Sequence, residues 1–101
     1  MFNIKGLIAG KDIYSNYIGL GDVVEILCDK YVGKGILFYC EKYMSMGIAV
    51  SLQHRKAIVK LLSDEDLKLG IVIRQNSLNE EEKKFYTELY TVAVNGVVQI
   101  D

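Results

Sequence analysis

The chain has 101 residues, a formal net charge of −1 and a pI near 5.8; half of its residues are apolar and a quarter are charged. That length supports one domain over 1–101 with a core that needs no metal or disulfide, and the composition excludes a disordered chain. The near-neutral balance excludes a global basic field, so any nucleic-acid binding would rest on a local site.

No stretch approaches membrane-spanning length, and the start MFNIKGLIAG lacks the basic region and long apolar run of a secretory signal. The expected location is cytoplasmic, with no membrane partner. Cys28 and Cys40 lie in the apolar runs VVEILC and ILFYC and read as buried free thiols. With one histidine in the chain they cannot complete a tetrahedral zinc set, and no metal or cofactor is expected.

Residues 2–9 place Phe2, Ile4 and Ile8 on one side at period two and predict a first strand, weakened by Gly6. Residues 10–21, GKDIYSNYIGLG, read as a loop anchored by Tyr14 and Tyr17. Residues 22–32, DVVEILCDKYV, admit two readings. Asp22 and Glu25 form a capping-box pattern, with Val23, Val24, Leu27, Cys28 and Tyr31 on one helical face. Val24, Ile26 and Cys28 also alternate as in a strand, and β-branched content favours that form.

Residues 35–52 are aromatic and β-branched and predict β structure, with Gly47 marking a bulge or bend. HRKAIVKLL, residues 54–62, reads as a short helix or as a strand with Ala57, Val59 and Leu61 alternating. SDED at 63–66 reads as a solvated turn, and LKLGIVIRQ as a strand with Leu69, Ile71 and Ile73 on one face. Residues 79–90 predict a helix capped by Asn79, with Glu80, Glu81 and Glu82 at its positive end and Phe85, Tyr86 and Leu89 on its apolar face. Asn95-Gly96 between β-branched runs predicts a two-residue hairpin, with a helix stopping at Gly96 as the lesser alternative.

No dinucleotide fingerprint, phosphate loop, nucleophile elbow or paired His/Asp set is present, so the chain reads as a non-enzyme. His54 has no carboxylate or thiolate near it in sequence and reads as a solvated residue at a strand end. The trio Gln53, His54 and Arg55 is left as a candidate phosphate contact.

Gly35, Leu37, Cys40, Glu41, Met44 and Met46 fall at spacings that resemble the first motif of the Sm/LSm family. LGIVIRQNSL, residues 69–78, resembles the second motif around Ile73-Arg74. The resemblance covers about residues 24–78. It implies a small, strongly bent five-stranded barrel that closes into a ring by edge-strand pairing and holds single-stranded RNA at its inner rim. Carried over, Tyr43 would stack a base, Ser45 stands where the family has its base-reading asparagine, and Arg74 would cover the site. Lys30 and Gln75 stand where the family has glycines, and Gly33 where it has an apolar residue.

The expected fold is therefore a β-rich α+β domain, a small strongly bent sheet or barrel with a helix near 79–90. A ferredoxin-like α+β sandwich with a helix at 22–32 is the alternative. The expected function is that of a non-catalytic, self-associating small regulator or inhibitor that binds another protein, with tyrosines as anchors. An Sm-like oligomeric ring on single-stranded RNA is the alternative.

Overall fold

Apolar patterning from residue 23 to 62 becomes four consecutive antiparallel strands. A computed structural model describes residues 4–28 and 31–100, with backbone alone at Cys28, Tyr31 and Val32. Phe2, Lys30 and the side chain of Cys28, all named in the sequence reading, lie outside the described residues. Among those described, the chain runs β1 (Ile8–Lys11), β2 (Tyr17–Gly19), β3 (Val23–Cys28), β4 (Tyr31–Cys40), β5 (Ser45–Gln53), β6 (Lys56–Leu62), α1 (Asp64–Leu67), β7 (Gly70–Ile73), a 3₁₀ turn (Gln75–Ser77), α2 (Glu80–Val94) and β8 (Val98–Ile100). β1 and β2 form a hairpin, and the other strands form a six-stranded mixed sheet in the order β7-β3-β4-β5-β6-β8. The fold is α+β and β-rich, with one main helix on the sheet.

The sheet is covered on both faces. Ile18, Leu20, Val24, Ile26, Leu37 and Ile48 fill one side, beneath the hairpin and α1. Phe38, Ala49, Val59, Leu89 and Ala93 fill the other, beneath α2. This resolves residues 23–28 as strand. Val24 and Ile26 are buried in the core beneath the hairpin and Val23 is buried on the opposite side, so two adjacent apolar residues imitate a helical stripe, while Glu25 is half-buried and Leu27 exposed. Asp22 caps no helix; its carboxylate accepts the Gly19 N–H at 2.7 Å and closes the turn before β3. With β3 in place, the ferredoxin-like alternative is excluded.

Other boundaries also shift. Gly6, at φ +91°, turns the chain and donates its N–H to the Leu20 carbonyl, so among the described residues the first strand starts at Ile8; residues 2 and 3 of the expected strand lie outside them. The expected 10–21 loop contains β2. Residues 41–44 divide the long β stretch into β4 and β5. The bulge foreseen near Gly47 lies between Ala49 and Ser51; at Gly47 itself a Cβ would stand 3.2 Å from the Phe38 ring. Residues 56–62 are strand, with Ala57 and Val59 buried. The solvated turn at 63–66 is one helical turn, with a Ser63/Asp66 capping box and a buried Asp66. Leu69 is exposed and precedes β7, where Ile71 and Ile73 are half-buried.

Asn79 and Glu82 cap α2 reciprocally, as expected of its start. Its end differs. The inward face continues through Ala93, and Gly96 at φ +83° ends the helix. Asn95-Gly96 makes no hairpin; β8 runs parallel to β6, pairing Ala57 with Val98. The same dipeptide serves either turn because both need a residue at positive φ. Phe85 sits outside the inward face, which runs through Tyr86, Leu89, Tyr90 and Ala93.

The β5–β6 turn carries backbone strain. His54 and Arg55 both have positive φ, +51° and +66°, between the paired Gln53 and Lys56. That is the backbone of a type I′ turn, which favours Asn-Gly. The double substitution His54→Asn, Arg55→Gly is expected to stabilise the protein by about 1 kcal/mol, read as an increased midpoint in urea denaturation with unchanged m.

Candidate functional site

The Asp12 carboxylate ties the β1–β2 hairpin to the edge strand β7. Asp12 is buried, and its Oδ1 accepts the N–H groups of Tyr14 at 2.9 Å and Asn16 at 2.8 Å. Its Oδ2 accepts the Val72 N–H at 3.2 Å, sixty residues away in the chain. Burial alone would raise the Asp12 pKa, but the N–H donors of Asn16, Val72 and Tyr14 outweigh it and hold the carboxyl below its ordinary range. Next to this contact the Ile13 N–H donates to the Gly70 carbonyl at 3.0 Å. The outward backbone groups of the edge strand β7 at Gly70 and Val72 are thus occupied, which blunts that edge.

Around this clamp the hairpin presents apolar side chains to solvent. Ile8, Ile13, Tyr14 and Tyr17 are 56%, 48%, 68% and 63% exposed. Tyr14 and Tyr17, expected to anchor the loop, are exposed; Asp12 and the buried Ile18 hold it. The Lys11 ammonium lies 5.0 Å from the Tyr17 ring centre, a cation–π contact that orients the ring. Leu7 and Ile8 also border a shallow apolar pocket with Tyr39 and Met46.

The site residues expected from sequence are spread over the sheet. Tyr43 lies in the β4–β5 turn, exposed, with the Lys42 ammonium 5.6 Å from its ring centre. The Ser45 hydroxyl donates to the Met46 carbonyl at 3.0 Å and points along the ladder toward Leu62. Arg74 follows Ile73, which stands opposite Val23, itself opposite Ile36. Ladder spacing puts Arg74 roughly 10 Å across the sheet from β4 and about 13 Å or more short of the Tyr43 turn. Tyr43 and Ser45 are neighbours, and Arg74 does not join them. Gln53, His54 and Arg55 are exposed at the far end of β5, about 25 Å from Ser45 at strand rise.

Family models, curated proteins and solved structures give no match to this chain.

A second concave region lies between α2 and the β2–β3 turn. This groove of about 440 Å³ is lined in part by Lys5, Asp22, Gln75, Lys83, Tyr86 and Tyr90. Burial raises the pKa of Tyr86, with the Glu82 charge adding to it, and burial raises that of Tyr90. The Lys5 stem packs over Gly21, where a Cβ would stand 2.8 Å from its Cγ and φ is +87°. Among the described residues no group of three or more His, Cys, Asp or Glu side chains is placed to hold a metal ion, and no helix is long and apolar enough to cross a membrane.

The sequence reading missed both Asp12 and the groove. D-I-Y-S-N carries a local signal, because Asp bonding the N–H two residues on is an Asx turn. Tyr86 and Tyr90 four apart on one helix also signal a shared face.

Proposed function

We propose that this protein is a non-catalytic interaction module that self-associates or binds another protein through the β1–β2 hairpin. The observation that carries the reading is the exposed set Ile8, Ile13, Tyr14 and Tyr17 on a hairpin clamped by Asp12. Exposed tyrosines on a fixed backbone lose little entropy on association, and aromatic anchors dominate interface energies. A cytoplasmic regulator or inhibitor suits such a surface.

The single-stranded RNA reading draws on Tyr43 with its lysine neighbour, and it needs Arg74 near them and two open sheet edges for a ring. Head-to-tail rings join two different surfaces. Here β7 is capped by Asp12 and Ile13, and β6 carries β8 along Ala57–Val59.

Sedimentation equilibrium of the wild type and of the triple variant Ile13→Ser, Tyr14→Ser, Tyr17→Ser tests the interaction reading. The wild type is expected to associate, and the variant to do so at least about tenfold more weakly with an unchanged melting temperature. If the wild type is monomeric, native mass spectra of protein from its own host should show a bound polypeptide. A clean monomer there, or oligonucleotide mass instead, sinks the proposal.

A further inference from the structure

The groove between α2 and the β2–β3 turn is separate from the hairpin surface, and its volume of about 440 Å³ falls in the range of small-molecule sites. Its lining is divided by chemistry. Leu20, Val23, Ile36 and Leu78 give an apolar wall, while the charged residues of the lining are two lysines, Lys5 and Lys83, and one carboxylate, Asp22. One oxygen of that carboxylate already accepts the Gly19 N–H. Glu80 approaches Lys83 at 3.5 Å from a solvent-exposed position, a contact too weak to neutralise it. Glu82 acts on Tyr86 from the same helix.

The hydroxyls are unevenly satisfied. Those of Thr87 and Thr91 donate to the carbonyls of Lys83 and Thr87 at 2.8 Å and 3.0 Å, which leaves their lone pairs to accept. The Tyr90 hydroxyl is buried and has no hydrogen-bond partner among the described residues. An unmet buried donor is costly and rare, and it calls for an explanation. Burial raises the pKa of this phenol, and an acceptor brought into the groove would meet its O–H.

We propose that this groove binds a small organic anion, with its apolar body against Leu20, Val23 and Leu78, its carboxylate or phosphate group held by Lys5 and Lys83, and an acceptor atom engaging the Tyr90 hydroxyl. Because that oxygen is closed off from water, engagement takes a small rotation of the tyrosine side chain. The site is thus completed by its occupant.

The test is an amide NMR titration of the full chain with phenyl phosphate, benzoate, inorganic phosphate and benzyl alcohol. Phenyl phosphate or benzoate is expected to shift the amides of Gly21, Asp22, Thr87 and Thr91 saturably, and the tighter of the two identifies the anionic group. Lys5→Gln and Lys83→Gln should each weaken binding about tenfold. Tyr90→Phe should raise the melting temperature of the free protein, since it removes an unmet hydroxyl, and still weaken binding about fivefold or more. No saturation with either aryl anion overturns the proposal, as does equal binding of benzyl alcohol or of inorganic phosphate alone. A Tyr90→Phe protein that is stabilised and binds undiminished overturns the role of the hydroxyl.

Discussion

Asp12→Ala is expected to cost about 2–4 kcal/mol of stability, because it leaves the N–H groups of Tyr14, Asn16 and Val72 without their acceptor in a partly buried setting. Chemical denaturation measures the total, and amide hydrogen exchange locates it. Val72 and Ile13 should lose protection first, since the hairpin and the β7 edge are joined there. The same carboxylate makes stability depend on acid. Its folded pKa lies below the ordinary 3.8, so its contribution is complete above that value and is lost as pH falls through the folded pKa. The wild type should therefore lose stability more steeply than Asp12→Ala in that window. Parallel acid profiles for the two proteins would show that the clamp contributes nothing. Loss of the clamp should also uncover Gly70 and Val72 on the β7 edge and promote aggregation, which light scattering would read.

Gly35→Ala is expected to be at least as damaging, at about 3 kcal/mol or more. A Cβ at Gly35 would meet the Ile48 side chain, with its Cδ1 at 2.9 Å, and the Ala49 carbonyl oxygen at 2.6 Å. Side chains can repack, but the carbonyl belongs to the β5 backbone. For that reason Ile48→Ala should not rescue Gly35→Ala. Gly47→Ala offers the comparison, since its nearest contacts are side-chain atoms, Val59 Cγ1 at 3.0 Å and the Phe38 ring at 3.2 Å. Its loss should be clearly smaller in the same denaturation experiment. Equal losses at the two glycines would mean that β5 can move away from β4 at Gly35.

Gly35 shows how a residue can be read as significant for a reason that packing then replaces. In the sequence it falls on a glycine of a motif that resembles an RNA-binding one; in the fold it leaves room for the Ile48 side chain and the Ala49 carbonyl. His54 was read as solvated at a strand end and is exposed, but its positive φ appears only once Gln53 and Lys56 are paired. Tyr14 and Tyr17 illustrate the opposite difficulty. An aromatic between glycines suits a core anchor or a presented surface equally well, and composition does not distinguish them.

The candidate site was the least legible part. The local half of the Asp12 network, to Tyr14 and Asn16, follows from one short segment. Its bond to Val72 depends on β7 lying beside the hairpin, a long-range fact with no local trace. The groove has the same character, because Lys5, Asp22, Gln75 and Tyr90 come from four distant segments.

By itself the sequence determined what short-range physics controls. Residues 35–40 and 45–52 became strands through their β-branched and aromatic content, and Asn79 with Glu82 set the start of α2. The tertiary structure decided whatever was degenerate locally. Residues 23–28 became strand because Val24 and Ile26 pack into the core beneath the hairpin and the backbone pairs with β4 on one side and β7 on the other. Asn95-Gly96 ended a helix because Leu89 and Ala93 held α2 on the sheet to its last turn and β6 offered β8 an open edge. In each case the competing local forms differ by about a kilocalorie per mole or less, while burial of a single apolar side chain contributes about 1.5–3 kcal/mol, so packing prevailed.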